Sequence, residues 1–67
     1  MTIAQQIQVN IPEKGISYDD FNKLADDYLH KTTVIPTLKY IKYWLKFQDG
    51  SILKLVDQEG TLLVEHC

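Results

Sequence analysis

The sequence predicts a small α+β fold in which one amphipathic helix packs on an antiparallel sheet. Apolar side chains recur at helical spacing over residues 18–31, and they alternate with polar side chains over residues 40–47. Turn residues then divide the remainder into two further short strands. The predicted order is β-α-β-β-β, with the last three strands forming a meander. The alternative is a winged helix-turn-helix.

The first predicted strand lies near the N-terminus. Ile7, Val9 and Ile11 alternate with polar residues, which is typical of a short half-buried strand. Residues 12–15, Pro-Glu-Lys-Gly, predict a turn after it.

The predicted helix covers residues 18–31. Ser17 can cap it by accepting a hydrogen bond from the backbone of Asp20, and Ile16 and Phe21 occupy the positions of a hydrophobic staple. Its apolar face consists of Tyr18, Phe21, Leu24, Ala25, Tyr28 and Leu29.

Residues 37–47 allow two interpretations. As a helix, they place Lys39, Lys42 and Lys46 on one stripe, as a winged-helix protein that contacts DNA requires. Ile35, however, offers no capping group to such a helix, and the β-branched and aromatic residues around it favour strands. We therefore predict a strand over residues 40–47.

Turn parity then predicts the strand register. A two-residue turn would set Leu45 opposite Lys54 and mix the two faces of the hairpin. A three-residue loop over residues 48–50, with Gly50 left-handed, pairs Leu45 with Leu53. A second turn adds another strand, so that one apolar face carries Tyr43, Leu45, Phe47, Leu53, Leu55, Leu62 and Val64.

The opposite side of the predicted sheet is the candidate binding surface. It carries Tyr40, Lys42, Trp44, Lys46, Lys54, Val56 and Leu63. An aromatic residue among apolar neighbours and lysines is typical of a protein-contact site. Alternatively, the N-terminal segment or residues 32–37 fold over this surface and simply cover it.

The sequence thus predicts a non-catalytic protein-interaction module, such as a small regulator, inhibitor or adaptor, which binds a partner or forms a homodimer. A small nucleic-acid-binding protein using the lysine stripe is the alternative. The net charge is −2 and all seven basic residues are lysines. Because arginine is the usual reader of bases and phosphates, nucleic acid is an unlikely partner.

No catalytic constellation, glycine-rich phosphate loop or cofactor motif is present, so we expect neither an enzyme nor a cofactor. His66 and Cys67 are adjacent potential ligands, but a zinc site needs three or four, so no metal site is predicted. Residues 1–67 are expected to form one domain without a signal peptide or membrane span. The single cysteine fits a cytoplasmic location.

Overall fold

The computed structural model describes residues 1–65, over which five antiparallel strands form one open sheet with two α-helices on one side. The α+β class and the antiparallel meander are confirmed. The elements are α1 (Ile3–Gln8), β1 (Ile16–Ser17), α2 (Tyr18–Ala25), a 3-10 turn (Asp26–Tyr28), β2 (Leu29–Pro36), β3 (Ile41–Phe47), β4 (Ile52–Gln58) and β5 (Thr61–Val64). In the sheet the strands lie in the order β1-β5-β4-β3-β2.

The strand predicted near residues 7–11 is wrong, because helix α1 extends to Gln8 and a turn follows it. The Thr2 side chain accepts a hydrogen bond from the Gln5 backbone, and the Gln5 side chain accepts one from the Thr2 backbone. This capping box begins the helix. Ala4 and Ile7 are three residues apart and both are buried. A helix places them on the same face, whereas a strand would place them on opposite faces.

The loop between β3 and β4 anchors the start of α1. Asp49 Oδ2 accepts the N–H of Ile3 at 2.9 Å, and Ser51 Oγ accepts the N–H of Ala4 at 3.0 Å. The backbone N–H of Ile3, followed by the hydroxyl and N–H of Ser51, lowers the pKa of the Asp49 carboxyl below its ordinary value. The first backbone N–H groups of a helix have no hydrogen-bond partner within the helix. In α1, the distant β3–β4 loop accepts two of them.

Helix α2 begins as predicted but ends early. Ser17 Oγ accepts the N–H of Asp20 at 3.2 Å, as the capping prediction requires. The helix ends at Ala25, so its predicted extension to residue 31 is wrong. Leu29 and Lys31 belong instead to β2, separated by a bulge, because pairing with β3 stabilises this β-branched segment as a strand.

The predicted β3–β4 register is confirmed. Leu45 pairs with Leu53, and Tyr43 pairs with Leu55. The intervening loop ends at Gly50, which has a φ of 86° and whose N–H donates to the carbonyl of Phe47. Because residues 41–47 are extended, the winged helix-turn-helix alternative is wrong.

The β4–β5 turn is also the predicted one. Glu59 and Gly60 both have positive φ, 55° and 85°, which matches a two-residue type I′ hairpin. Leu62 and Val64 consequently face the helices beside Leu55. The buried core consists of Ala4, Ile7, Ile11, Phe21, Ala25, Leu45, Phe47, Leu53, Leu55 and Leu62.

A polar contact joins α2 to the sheet. The Tyr18 hydroxyl donates to Asp57 Oδ2, and it lies 3.1 Å from the hydroxyl of Tyr43. Asp57 Oδ1 in turn accepts the N–H of Gly60 at 2.9 Å. Burial, followed by these hydrogen bonds, raises the pKa of Tyr18 above its ordinary value. The contact links the start of α2, strand β3 and the β4–β5 turn.

Candidate functional site

We call the side of the sheet that bears the helices the helix face, and the opposite side the reverse face. Trp44 lies near the middle of the reverse face, between Thr33 of β2 and Lys54 of β4. In the next row, Lys42 lies between Ile35 and Val56. Alternation along each strand places the reverse-face side chains together because those between them pack in the core.

The predicted candidate residues occupy this face as the strand register requires. Lys42, Trp44 and Lys46 project from β3, Lys54 and Val56 from β4, and Leu63 from β5 beside Val56. Tyr40 precedes β3, with its ring centroid 5.9 Å from Lys42 Nζ.

Neither of the two segments considered as a cover lies over Trp44. Helix α1 brings Ala4 and Ile7 into the core on the helix face. Residues 32–36 belong to β2 and extend the sheet sideways. Over residues 1–65, the reverse face is therefore left open around Trp44, whereas Gly15 lies close against the side chains of Thr61 and Leu63 at its β5 end.

Trp44 offers apolar surface at the centre of this open face. Its side chain is 39% exposed, whereas that of its neighbour Leu45 is 4% exposed on the helix face. Lys54 Nζ lies 4.6 Å from the ring centroid, within the range of a cation–π interaction. This contact holds a positive charge directly beside the indole.

A second cluster on the reverse face is more closed. Lys42 Nζ lies 2.9 Å from Glu65 Oε1, and Val56 beneath it is only 8% exposed. Lys42 and Leu63 are the cross-strand neighbours of Val56 on this face. Val56 consequently contributes little accessible area, although it lies on the predicted surface.

The structure adds residues that the sequence interpretation missed. They are Lys31, Thr33 and Ile35 on β2, Ile52 on β4, and Glu65. The β-branched run over residues 32–35 was the available signal for β2. No strand was predicted over it, because helical spacing continues through Tyr28 and Leu29 and the helix was extended to residue 31.

The reverse face is strongly basic. It carries four lysines, Lys31, Lys42, Lys46 and Lys54, against Glu65. Lys31 lies directly opposite Lys46 across β2–β3, an arrangement in which like charges repel. A neighbouring surface depression of about 580 Å³ is lined by Lys14 and Lys39, together with Glu59. This side of the molecule therefore attracts negative charge.

Comparison with known proteins gives no family to guide the interpretation. No family model, curated protein or solved structure matches the chain.

Metal and membrane sites were also considered. Within residues 1–65, no group of three or more histidine, cysteine, aspartate or glutamate side chains is placed to hold a metal ion. The adjacent His66 and Cys67 lie outside the described residues. In the same part of the chain, none of the helices has the length and apolar character needed to cross a bilayer.

Proposed function

We propose that this protein is a non-catalytic interaction module that binds an acidic surface of a partner protein through its reverse face. The observation that carries the proposal is Trp44, 39% exposed near the middle of a sheet face that the described fold leaves open around it. Tryptophan is among the residues most enriched at binding hot spots because a rigid ring buries a large area.

The lysines around Trp44 favour an acidic partner. Lys46 and Lys54 are both exposed, and neither has an acidic partner within the described residues. Opposite charges on a partner would accelerate encounter and fix orientation, while Trp44 would supply the buried apolar contact. A second copy on this face would set lysine against lysine, so the charge pattern favours a different protein.

The small size and single cysteine fit a regulator, inhibitor or adaptor that acts in the cytoplasm. Nucleic acid is a weaker candidate, since the chain combines a net charge of −2 with an absence of arginine. Lysines beside an aromatic ring are nevertheless what single-stranded nucleic acid would contact.

Affinity capture from lysate of the native cells, followed by titration with the purified captured protein, tests the proposal. Trp44→Thr removes the indole and retains a residue that favours strands. We expect it to weaken binding at least about tenfold, which corresponds to about 1.4 kcal/mol. Val9→Thr is the matched control, because Val9 is 70% exposed and lies away from the sheet.

Two results would contradict the proposal. One is a captured protein that binds the Trp44→Thr variant as tightly as the wild type. The other is tight binding of labelled single-stranded oligonucleotides, which weakens steeply with salt and is lost in the same variant. This second result would instead favour the nucleic-acid function.

A further inference from the structure

The two edge strands of the sheet, β1 and β2, differ in length. The β1 edge has only two residues, Ile16 and Ser17. The opposite edge is β2, which runs for eight residues, and residues 30–34 are all exposed. Over the described chain no further strand pairs with its outer side. Long edges of this kind are templates for pairing with another chain.

The hydrogen-bonding groups that β2 directs outward follow from its ladder with β3. The N–H of Thr37 donates to the carbonyl of Tyr40 at 2.8 Å, where the two strands meet. Because bonded and non-bonded pairs alternate along an antiparallel ladder, Thr32 and Val34 direct their N–H and C=O groups away from β3. Pro36, which lacks an N–H, falls at another outward position, where proline is tolerated.

The helix face beside this edge holds a matching groove. Val34 is 54% exposed there. A groove of about 130 Å³ lies between α2 and the sheet, and its lining includes Phe21, Leu29 and Thr32. At about 30 Å³ for each water, this space matches roughly four water molecules, enough for a branched aliphatic side chain.

We propose that a second copy of this chain pairs with β2, antiparallel about a two-fold axis through Thr33. Thr32 then lies opposite Val34 of the partner subunit, and the reverse pair follows by symmetry. Both residues direct their backbone groups outward, so the two pairs form four hydrogen bonds. Each Val34 side chain meets the groove beside the other subunit's Thr32, and the two sheets become continuous.

This register also avoids charge conflict. On the reverse face, Lys31 lies opposite Ile35 of the partner subunit, and the two Thr33 side chains meet at the axis. Centring the pairs on Val34 would instead place Thr32 opposite Pro36 of the partner subunit, which has no N–H to donate. The Thr33 register is therefore the one that uses every outward donor and acceptor of Thr32 and Val34.

Sedimentation velocity up to about 1 mM protein tests the dimer, since that concentration populates even a complex with a Kd on the order of 0.1 mM. We expect the wild type to reach the mass of two chains. Val34→Pro removes the outward N–H and spares the ladder to β3, so it should remain a folded monomer. Ile52→Thr, which alters a similarly exposed residue on β4, should still dimerise.

A wild type that keeps the mass of one chain throughout would overturn the proposal, as would a Val34→Pro variant that dimerises like the wild type. Circular dichroism verifies folding, and Val34→Lys offers a second way to block the edge if the proline variant unfolds. Dimerisation lost in Trp44→Thr but kept in Val34→Pro would move the interface to the reverse face. Binding of an acidic partner through Trp44 does not depend on the β2 pairing, and it should survive Val34→Pro.

Discussion

The two faces of the sheet come from the same strands but meet different requirements. Leu45 and Trp44 are neighbours in β3, and they are 4% and 39% exposed on the helix face and the reverse face, respectively. Packing against α1 and α2 determines what the helix face can contain. Around Trp44 the reverse face has no such constraint within the described chain, so the residues there are available for recognition. Stability and binding should therefore respond to different substitutions.

The strongest way to test this comparison is Leu45→Ala on the helix face. Truncating a buried leucine removes its transfer free energy and leaves a cavity, at a cost of about 2–5 kcal/mol. In a domain of this size that is a large share of the total stability. Urea unfolding followed by circular dichroism measures the loss. A change below about 1 kcal/mol would mean that the helix face does not determine stability.

Tyr18→Phe should have the next largest effect. It removes the hydroxyl that donates to Asp57 and lies 3.1 Å from the Tyr43 hydroxyl. Leaving partly buried partners without their hydrogen bond costs about 1–2 kcal/mol. The same urea titration measures this loss. A variant as stable as the wild type would show that the Tyr18 hydroxyl does not stabilise the packing of α2 on the sheet.

Tyr18 also predicts a sensitivity to alkaline pH. Because the folded state raises the pKa of Tyr18 above its ordinary value near 10, the unfolded chain releases this proton first as pH rises. The contribution of the Tyr18 hydroxyl to the free energy of unfolding is therefore complete below about pH 10 and decreases above it. Wild-type stability should therefore drop more steeply than that of Tyr18→Phe as pH rises above about 10. Parallel slopes would contradict the prediction.

Asp49→Asn should produce a smaller loss, visible mainly through acid titration. Since hydrogen bonds from Ile3 and Ser51 lower the pKa of Asp49, its contribution is present above its ordinary value near 3.8 and is lost as pH falls through the folded value. The variant should lack this acid-dependent component. Hydrogen exchange at the Ile3 amide measures the docking of α1, and unchanged exchange would show that the loop does not anchor the helix.

Much of the sheet could be predicted because the number of residues in each turn determines which side chains share a face. Leu45 can share a face with Leu53 only if the loop has three residues, and this loop is observed. The N-terminal helix was missed because Ile7 and Ile11, four residues apart, fit both periods, while Val9 between them fits only the alternation of a strand. The Thr2–Gln5 capping box, readable in the sequence, would have favoured the helix.

Strand β2 was harder to predict because its stability as a strand comes from pairing with β3. Local spacing continues the helix through Leu29, and only the tertiary ladder ends it at Ala25. The candidate surface consequently lacked its outer row, including Lys31 and Thr33. Six of the seven candidate residues needed only the alternation in β3, β4 and β5, which explains why they were found without knowledge of β2.

Trp44→Thr should reduce stability much less than Leu45→Ala. It therefore tests directly whether the reverse face contributes to binding more than to stability. Threonine retains β propensity, but the substitution removes the contact with Lys54 and the covered part of the indole, so we expect a loss of about 1 kcal/mol, below that of Leu45→Ala. Because Trp44 is the only tryptophan, circular dichroism must follow the unfolding. A loss as large as that of Leu45→Ala would show that the indole belongs to the core. A small loss together with weaker partner binding is expected of a face whose residues are free to serve recognition.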